Sequence, residues 1–395
     1  MTQRPTPADT IARYERFLAA DPENALLRKA LGDLYHQGGE LERARDAFEH
    51  CVARDPSDAA ARGRLAGVLL SMHRFDEAER TYRGLLGAGG QDPALVHGLG
   101  LALYHQQRWA EAADALGRAR DAGLAAPDNL RHLAYALHHC GDTAAALRTC
   151  DAWLALAPSA AAAGYRALLQ LDTGDVDAAA RTAREVLAQA PDDANANLAL
   201  GWWEVEAQHA DDAAARFERV ARDAPGDARA WFGIALVRLL REDRAGAIAA
   251  FRRVLEITPD NAGAIVAMGW AQFLNEEIYE AERTFRRAVK VERNFGEAHA
   301  GVAVTLVWQN RRDEARREIA IARRLDPQGF GMIYARSVLL GLEGKREMAE
   351  RLMAQGMERA VRAGGPALID SVRVFLRKRV ASAPDTIENR GVTRD

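Results

Sequence analysis

The sequence predicts an all-α chain of stacked helix pairs, a solenoid rather than a domain built around one large core. Three periodic features carry that prediction. The first is a ladder of ten alanines, Ala44, Ala78, Ala112, Ala146, Ala179, Ala213, Ala247, Ala281, Ala315 and Ala349, spaced by 34 residues except for one step of 33. A fixed period in this range is the mark of a repeated supersecondary unit. The second is a residue four positions after each alanine that is large and apolar in most units, such as Phe48, Tyr82, Leu116, Phe217, Phe251 and Phe285. That spacing puts both side chains on one helix face. The third is an apolar–small pair 13 residues before the alanine, as in Leu31-Gly32, Leu99-Gly100, Leu200-Gly201 and Met268-Gly269. The pair marks the packed face of a preceding helix.

Taken in order, residues 7–20 read as a lone second helix, because Tyr14, Phe17 and Pro22 stand where Phe48, Cys51 and Pro56 stand in the next unit. This half-repeat caps the open end of the stack. Ten units then follow at 25–58, 59–92, 93–126, 127–159, 160–193, 194–227, 228–261, 262–295, 296–329 and 330–363. Within a unit the two helices are joined by a turn marked most clearly by Gly39, Gly141, Gly174 and Gly344, since a helix C-terminus often takes a left-handed residue. Pro56, Pro158, Pro191, Pro225, Pro259 and Pro327 close units, because proline cannot continue a helix. The stretch 84–93 is glycine-rich and predicts a longer turn. Trp231 is expected to pack between the two helices of its unit. Beyond Gly364-Gly365-Pro366, residues Leu368, Ile369, Val372, Phe375 and Leu376 fall at helical spacing and predict a closing helix. The expected division is a half-repeat over 1–24, ten units over 25–363, a capping helix over 364–380 and a polar, disordered tail over 381–395.

The Leu-Gly, Gly, Ala, Phe, Pro pattern at this period resembles the tetratricopeptide repeat (TPR) family over nearly the whole chain. The resemblance implies a right-handed superhelical solenoid. It also implies a concave face lined by positions two, five, nine, twelve and thirteen of each unit. Arg166 and Arg336-Ser337 depart from the apolar–small pair, and Arg293 from the closing proline. At the lining positions the two halves of the chain differ. The N-terminal half offers a polar groove: His97, Tyr104, His105, Arg131, Tyr135, His138 and His139. The C-terminal half offers an apolar, aromatic set: Trp202, Phe232, Trp270, Phe273, Val304, Trp308 and Tyr334. This second set is read as a trough that holds a partner, the alternative being core or a face covered by the C-terminal helix. Some family members clamp a C-terminal carboxylate with Lys, Asn and Arg. Lys29 fits that clamp, but Asp33, Arg64, Ala94 and Gly98 do not.

Composition narrows the function classes. Hydrophobic residues make up 48% and aromatics 7%, and the formal net charge is -3. No strongly basic surface is implied, so no nucleic-acid partner is expected. No apolar run reaches the length of a membrane span, so no membrane insertion is expected. The N-terminus lacks the apolar stretch of a signal peptide. With three cysteines in no framework (Cys51, Cys140, Cys150), this points to a cytoplasmic protein. No phosphate loop, dinucleotide fingerprint or nucleophile elbow is present, and neither enzymatic activity nor a cofactor is expected. Five histidines fall within 97–139, but no third ligand stands one turn away, so no metal is expected. The function these readings imply is an adaptor or chaperone-like module with a protein or peptide in its groove. A self-associating scaffold, such as a homodimer, is one alternative. A regulatory or targeting subunit of an enzyme or secretion system whose catalytic part is another chain is the other.

Overall fold

The structure is a computed structural model that describes residues 6–87 and 92–362. Among these residues every regular element is a helix. Helix α1 (Pro7–Ala20) precedes four packed pairs, α2 (Ala25–Gln37) with α3 (Leu41–Arg54), α4 (Ala59–Ser71) with α5 (Phe75–Leu86), α6 (Pro93–His105) with α7 (Trp109–Asp121) and α8 (Pro127–His139) with α9 (Thr143–Leu156). These are followed along the chain by α10 (Ala160–Asp172), which packs on α9, and α11 (Val176–Leu187), which packs on the next helix. Then come α12 (Ala194–Glu206) with α13 (Ala210–Asp223), α14 (Ala228–Leu240) with α15 (Arg244–Ile257), α16 (Ala262–Leu274) with α17 (Ile278–Val291), α18 (Gly296–Trp308) with α19 (Arg312–Leu325), and α20 (Phe330–Leu342) with α21 (Arg346–Arg362). The chain forms two compact units, Met1–Asp175 and Val176–Asp395, and the division falls in the turn of the fifth predicted pair. Residues 88–91 of the long turn expected over 84–93, and the expected capping helix and tail at 364–380 and 381–395, lie outside the described residues.

Local chemistry marks many of the boundaries. Asn24, Asp58, Asp92, Asp142, Asp193, Asp227 and Asn261 sit just before their helices, and their side-chain oxygens accept first-turn amide N–H groups. Between the helices of a pair the chain turns through a left-handed residue. Gly39, Gly141, Gly174 and Gly344 hold φ between 77° and 84°. In six further pairs a side chain is forced into the same region: His73, Gln107, Gln208, Glu242, Glu276 and Asn310.

Nine of the ten ladder alanines have no exposed surface; Ala349, on the last described helix, is half-buried. Their bulky partners fill the space between consecutive first helices. A Cβ on Gly201 would lie 2.9 Å from the ring of Phe217, and one on Gly233 only 2.5 Å from it. Phe217 is thus gripped by glycines from its own unit and from the next. The position-four side chain of several first helices adds a polar tether to the residue six before it. Arg28 donates to the Pro22 carbonyl at 2.7 Å, Asn197 to Pro191 at 2.9 Å and Trp231 to Pro225 at 3.0 Å. His299 Nε2 stands 3.1 Å from the Arg293 carbonyl.

In the second unit α20 packs closely on α18 as well as on α21. The crossing is closed by small residues, since a Cβ on Gly331 would lie 3.0 Å from the Cβ of Ala300.

Candidate peptide-binding groove

The lining positions of the first unit carry a half-open polar aromatic surface. His105 and His139 are exposed, and His97, Tyr104, Arg131, Tyr135 and His138 are half-buried. Two stacks recur one repeat apart: Phe75 on His105 with centroids 4.8 Å apart, and Trp109 on His139 at 4.2 Å. Each joins the start of a second helix to the end of the next first helix. His97 Nδ1 lies 2.9 Å from Asn129 Oδ1, and His138 bridges the Tyr165 hydroxyl at 2.9 Å and Asp172 at 2.8 Å. Arg131 is engaged by Asp128 at 2.5 Å. Burial holds the His132 and His105 imidazoles below their ordinary value, with His73 adding repulsion at His105. These histidines bind neighbours of the fold, and among the described residues no group of three or more His, Cys, Asp or Glu is placed to hold a metal ion.

The second unit places its seven candidates in two classes. Trp202, Phe232 and Trp308 are half-buried. Trp270, Phe273, Val304 and Tyr334 are interior, with Trp270 3% and Tyr334 1% exposed. Their rings form one internal cluster. Phe273 meets Trp308 edge-on at 5.6 Å and Tyr334 at 6.5 Å, while Trp270 meets Phe285 at 5.3 Å. The close crossing of α18 and α20 turns these lining positions into core, so the reading of them as an exposed trough narrows to Trp202, Phe232 and Trp308.

One lining residue that sequence reasoning passed over stands out. Glu297, at position two of its unit, is half-buried, and its carboxylate accepts the indole N–H of Trp270 at 3.2 Å. The backbone N–H of Gly331 also donates to it. Burial, with the nearby Asp326 carboxylate, pushes Glu297 up to about 7 against these hydrogen bonds. Its spacing in the unit could have found it, had an acid been sought among apolar neighbours. At the clamp positions Asp33 pairs with Arg64 at 3.1 Å and Lys29 with Asp58 at 2.8 Å.

Helix pairs at a fixed period have a matching family model. The tetratricopeptide repeat model matches residues 7–59, 97–161, 166–204 and 204–262, and a second tetratricopeptide repeat model matches 39–102. The chain belongs to the tetratricopeptide repeat family. No curated protein matches it. Among solved structures it is similar to an IFIT1 monomeric mutant with Gppp-AAAA, at 14% identity over 89% of this chain and 95% of that one, with a TM-score of 0.52. It is also similar to the human IFIT1 dimer with m7Gppp-AAAA, at 13% identity over 89% and 94%, with a TM-score of 0.50. Yeast Tom70 matches at 14% identity over 98% and 96%, with a TM-score of 0.40. At these identities the IFIT1 likeness is one of fold. Tetratricopeptide repeats are in general protein-interaction modules and in general not catalytic. Among the described residues no helix is long and apolar enough to cross a membrane.

Proposed function

We propose that this tetratricopeptide protein is a non-enzymatic, cytoplasmic adaptor or chaperone-like module that holds a polypeptide against the inner faces of its first helices. The observation that carries the reading is the half-buried aromatic side chains at lining positions within each unit, Tyr104 and Tyr135 in the first and Trp202, Phe232 and Trp308 in the second. Aromatic anchors of this kind dominate binding energy at protein interfaces. Nucleic acid is left out of the reading, although the IFIT1 structures carry RNA-like ligands. The lining here offers Asp33, Asp128 and Asp172 in one unit and Glu297 among aromatics in the other, which suits phosphate poorly. The test is capture of partners by the intact chain, compared with a Trp202→Ala, Phe232→Ala, Trp308→Ala variant of equal helicity. Specific proteins held by the former and lost from the latter support the reading, and equal capture by both removes it.

A second reading, self-association, is favoured by Phe17 and Leu26 on the first two helices, which are 55% and 77% exposed. Mass in solution decides it, with Phe17→Ser and Leu26→Ser expected to return a dimer to monomer.

A further inference from the structure

We propose that Glu297 is the counter-charge for a lysine or arginine side chain on the docked polypeptide, so that the second unit selects an apolar segment carrying a basic residue. The inference rests on the docking reading above and adds the chemistry of the partner. Glu297 sits at a lining position on the first turn of α18 and is half-buried. Its recess is built: a Cβ on Gly331 would lie 2.7 Å from Glu297 Oε1 and 3.0 Å from Trp270 Cζ2, so the carboxylate fits because position 331 is glycine. Its partners are the Trp270 indole and the Gly331 amide, both neutral donors. No Lys, Arg or His among the described residues forms an ion pair with it, whereas Asp33 pairs with Arg64, Asp58 with Lys29 and Asp172 with His138. The charged group that faces it is Asp326, in the turn before α20, which adds negative potential. From α16 and α20 it meets the neutral Trp270 and Gly331.

A carboxylate recessed beside an indole and held without a cation is destabilised in its charged form, and an incoming guanidinium or ammonium relieves that cost. Binding then expels the proton that Glu297 retains near neutral pH, and affinity rises as pH rises through that region.

The test uses the full chain and a pair of short fluorescent peptides of the same length, one alternating leucine with arginine, the other leucine with glutamate. The arginine peptide is expected to bind, more tightly at pH 8 than at about pH 6. Calorimetry in two buffers of different ionisation enthalpy is expected to show proton release near pH 7, a readout that needs no variant. Glu297→Gln keeps an acceptor oxygen for both N–H donors. With helicity unchanged it should weaken binding by about tenfold or more and abolish the proton release. Arginine-peptide binding that is unaffected by Glu297→Gln, lacks proton release, or is matched by the glutamate peptide overturns the proposal. If Phe232→Ala and Trp308→Ala still weaken binding in that case, docking stands and only the charge selection falls. If they have no effect either, both readings fall.

Discussion

At the scale of single residues, strain and charge are placed where the repeat leaves them no alternative. Each turn between paired helices needs a left-handed residue, and six turns meet the need with a side chain. Gln208 is one of them, exposed to solvent at φ 63°, where its side chain adds backbone strain without filling any core. Gln208→Gly is expected to raise stability by about 1 kcal/mol, read as a higher urea midpoint with an unchanged slope. Gly174→Ala, at φ 84°, should do the reverse. Glu297 carries a pH signature of its own. Its folded value, about 7, lies above the ordinary 4.5, so the folded state favours the protonated form. Relative to a neutral isostere its contribution is intact below about 4.5 and is lost as pH rises through 7. Glu297→Gln should therefore leave the melting temperature nearly unchanged at pH 4.5 and raise it at pH 8. The gain is at most a few kcal/mol, since each tenfold change in proton affinity between folded and unfolded chain is worth about 1.4 kcal/mol. A variant that is equally displaced at both pH values would show that the carboxylate is not held as described.

At the scale of elements, neighbouring pairs are joined by a packing rule and by polar ties. On α5, Glu79 accepts from Arg83 at 2.8 Å and from Gln106 at 2.9 Å and Arg108 at 2.8 Å in the next unit's turn. On α17, Glu282 repeats the arrangement with Arg286 at 2.8 Å, Gln309 at 2.7 Å and Arg311 at 3.0 Å. The helix positions, turns and packed alanines were legible in the sequence because each recurs at the same place in successive repeats. What was not legible was whether the inner face stays open. That depends on how closely two first helices approach, and at α18 and α20 the approach is set by Ala300 and Gly331, which resemble any other small residues in an alanine-rich chain. Trp270 occupies a lining position by spacing and a core position by packing. Trp270→Ala is accordingly expected to cost about 3–5 kcal/mol in stability, whereas Phe232→Ala, half-buried, should cost less. Chemical denaturation of the two variants checks the order, and a Trp270→Ala protein as stable as the parent would return that residue to the binding surface.

At the scale of the whole molecule, a solenoid has no central core through which damage spreads. Within each compact unit a helix pair packs on its sequence neighbours, so the stability of that unit is close to a sum of pair terms and nearest-neighbour interface terms. Ala247 is the sharpest place to test this. It is fully buried, four residues from Phe251, at the crossing of α15 with its neighbours. Ala247→Leu adds three heavy atoms where there is no space, and overpacking of this kind costs about 1–3 kcal/mol. In a single-core domain that loss would lower the protection of every slowly exchanging amide by the same factor, because all would report one global opening. Here the loss should stay local. Native-state hydrogen exchange of Ala247→Leu is expected to show faster exchange in α14 to α17 and parental rates in α2 to α9, with the thermal transition broadened rather than merely shifted. A uniform rise across α2 to α21 would mean that the pairs unfold as one cooperative body, and the nearest-neighbour account of this chain would have to be abandoned.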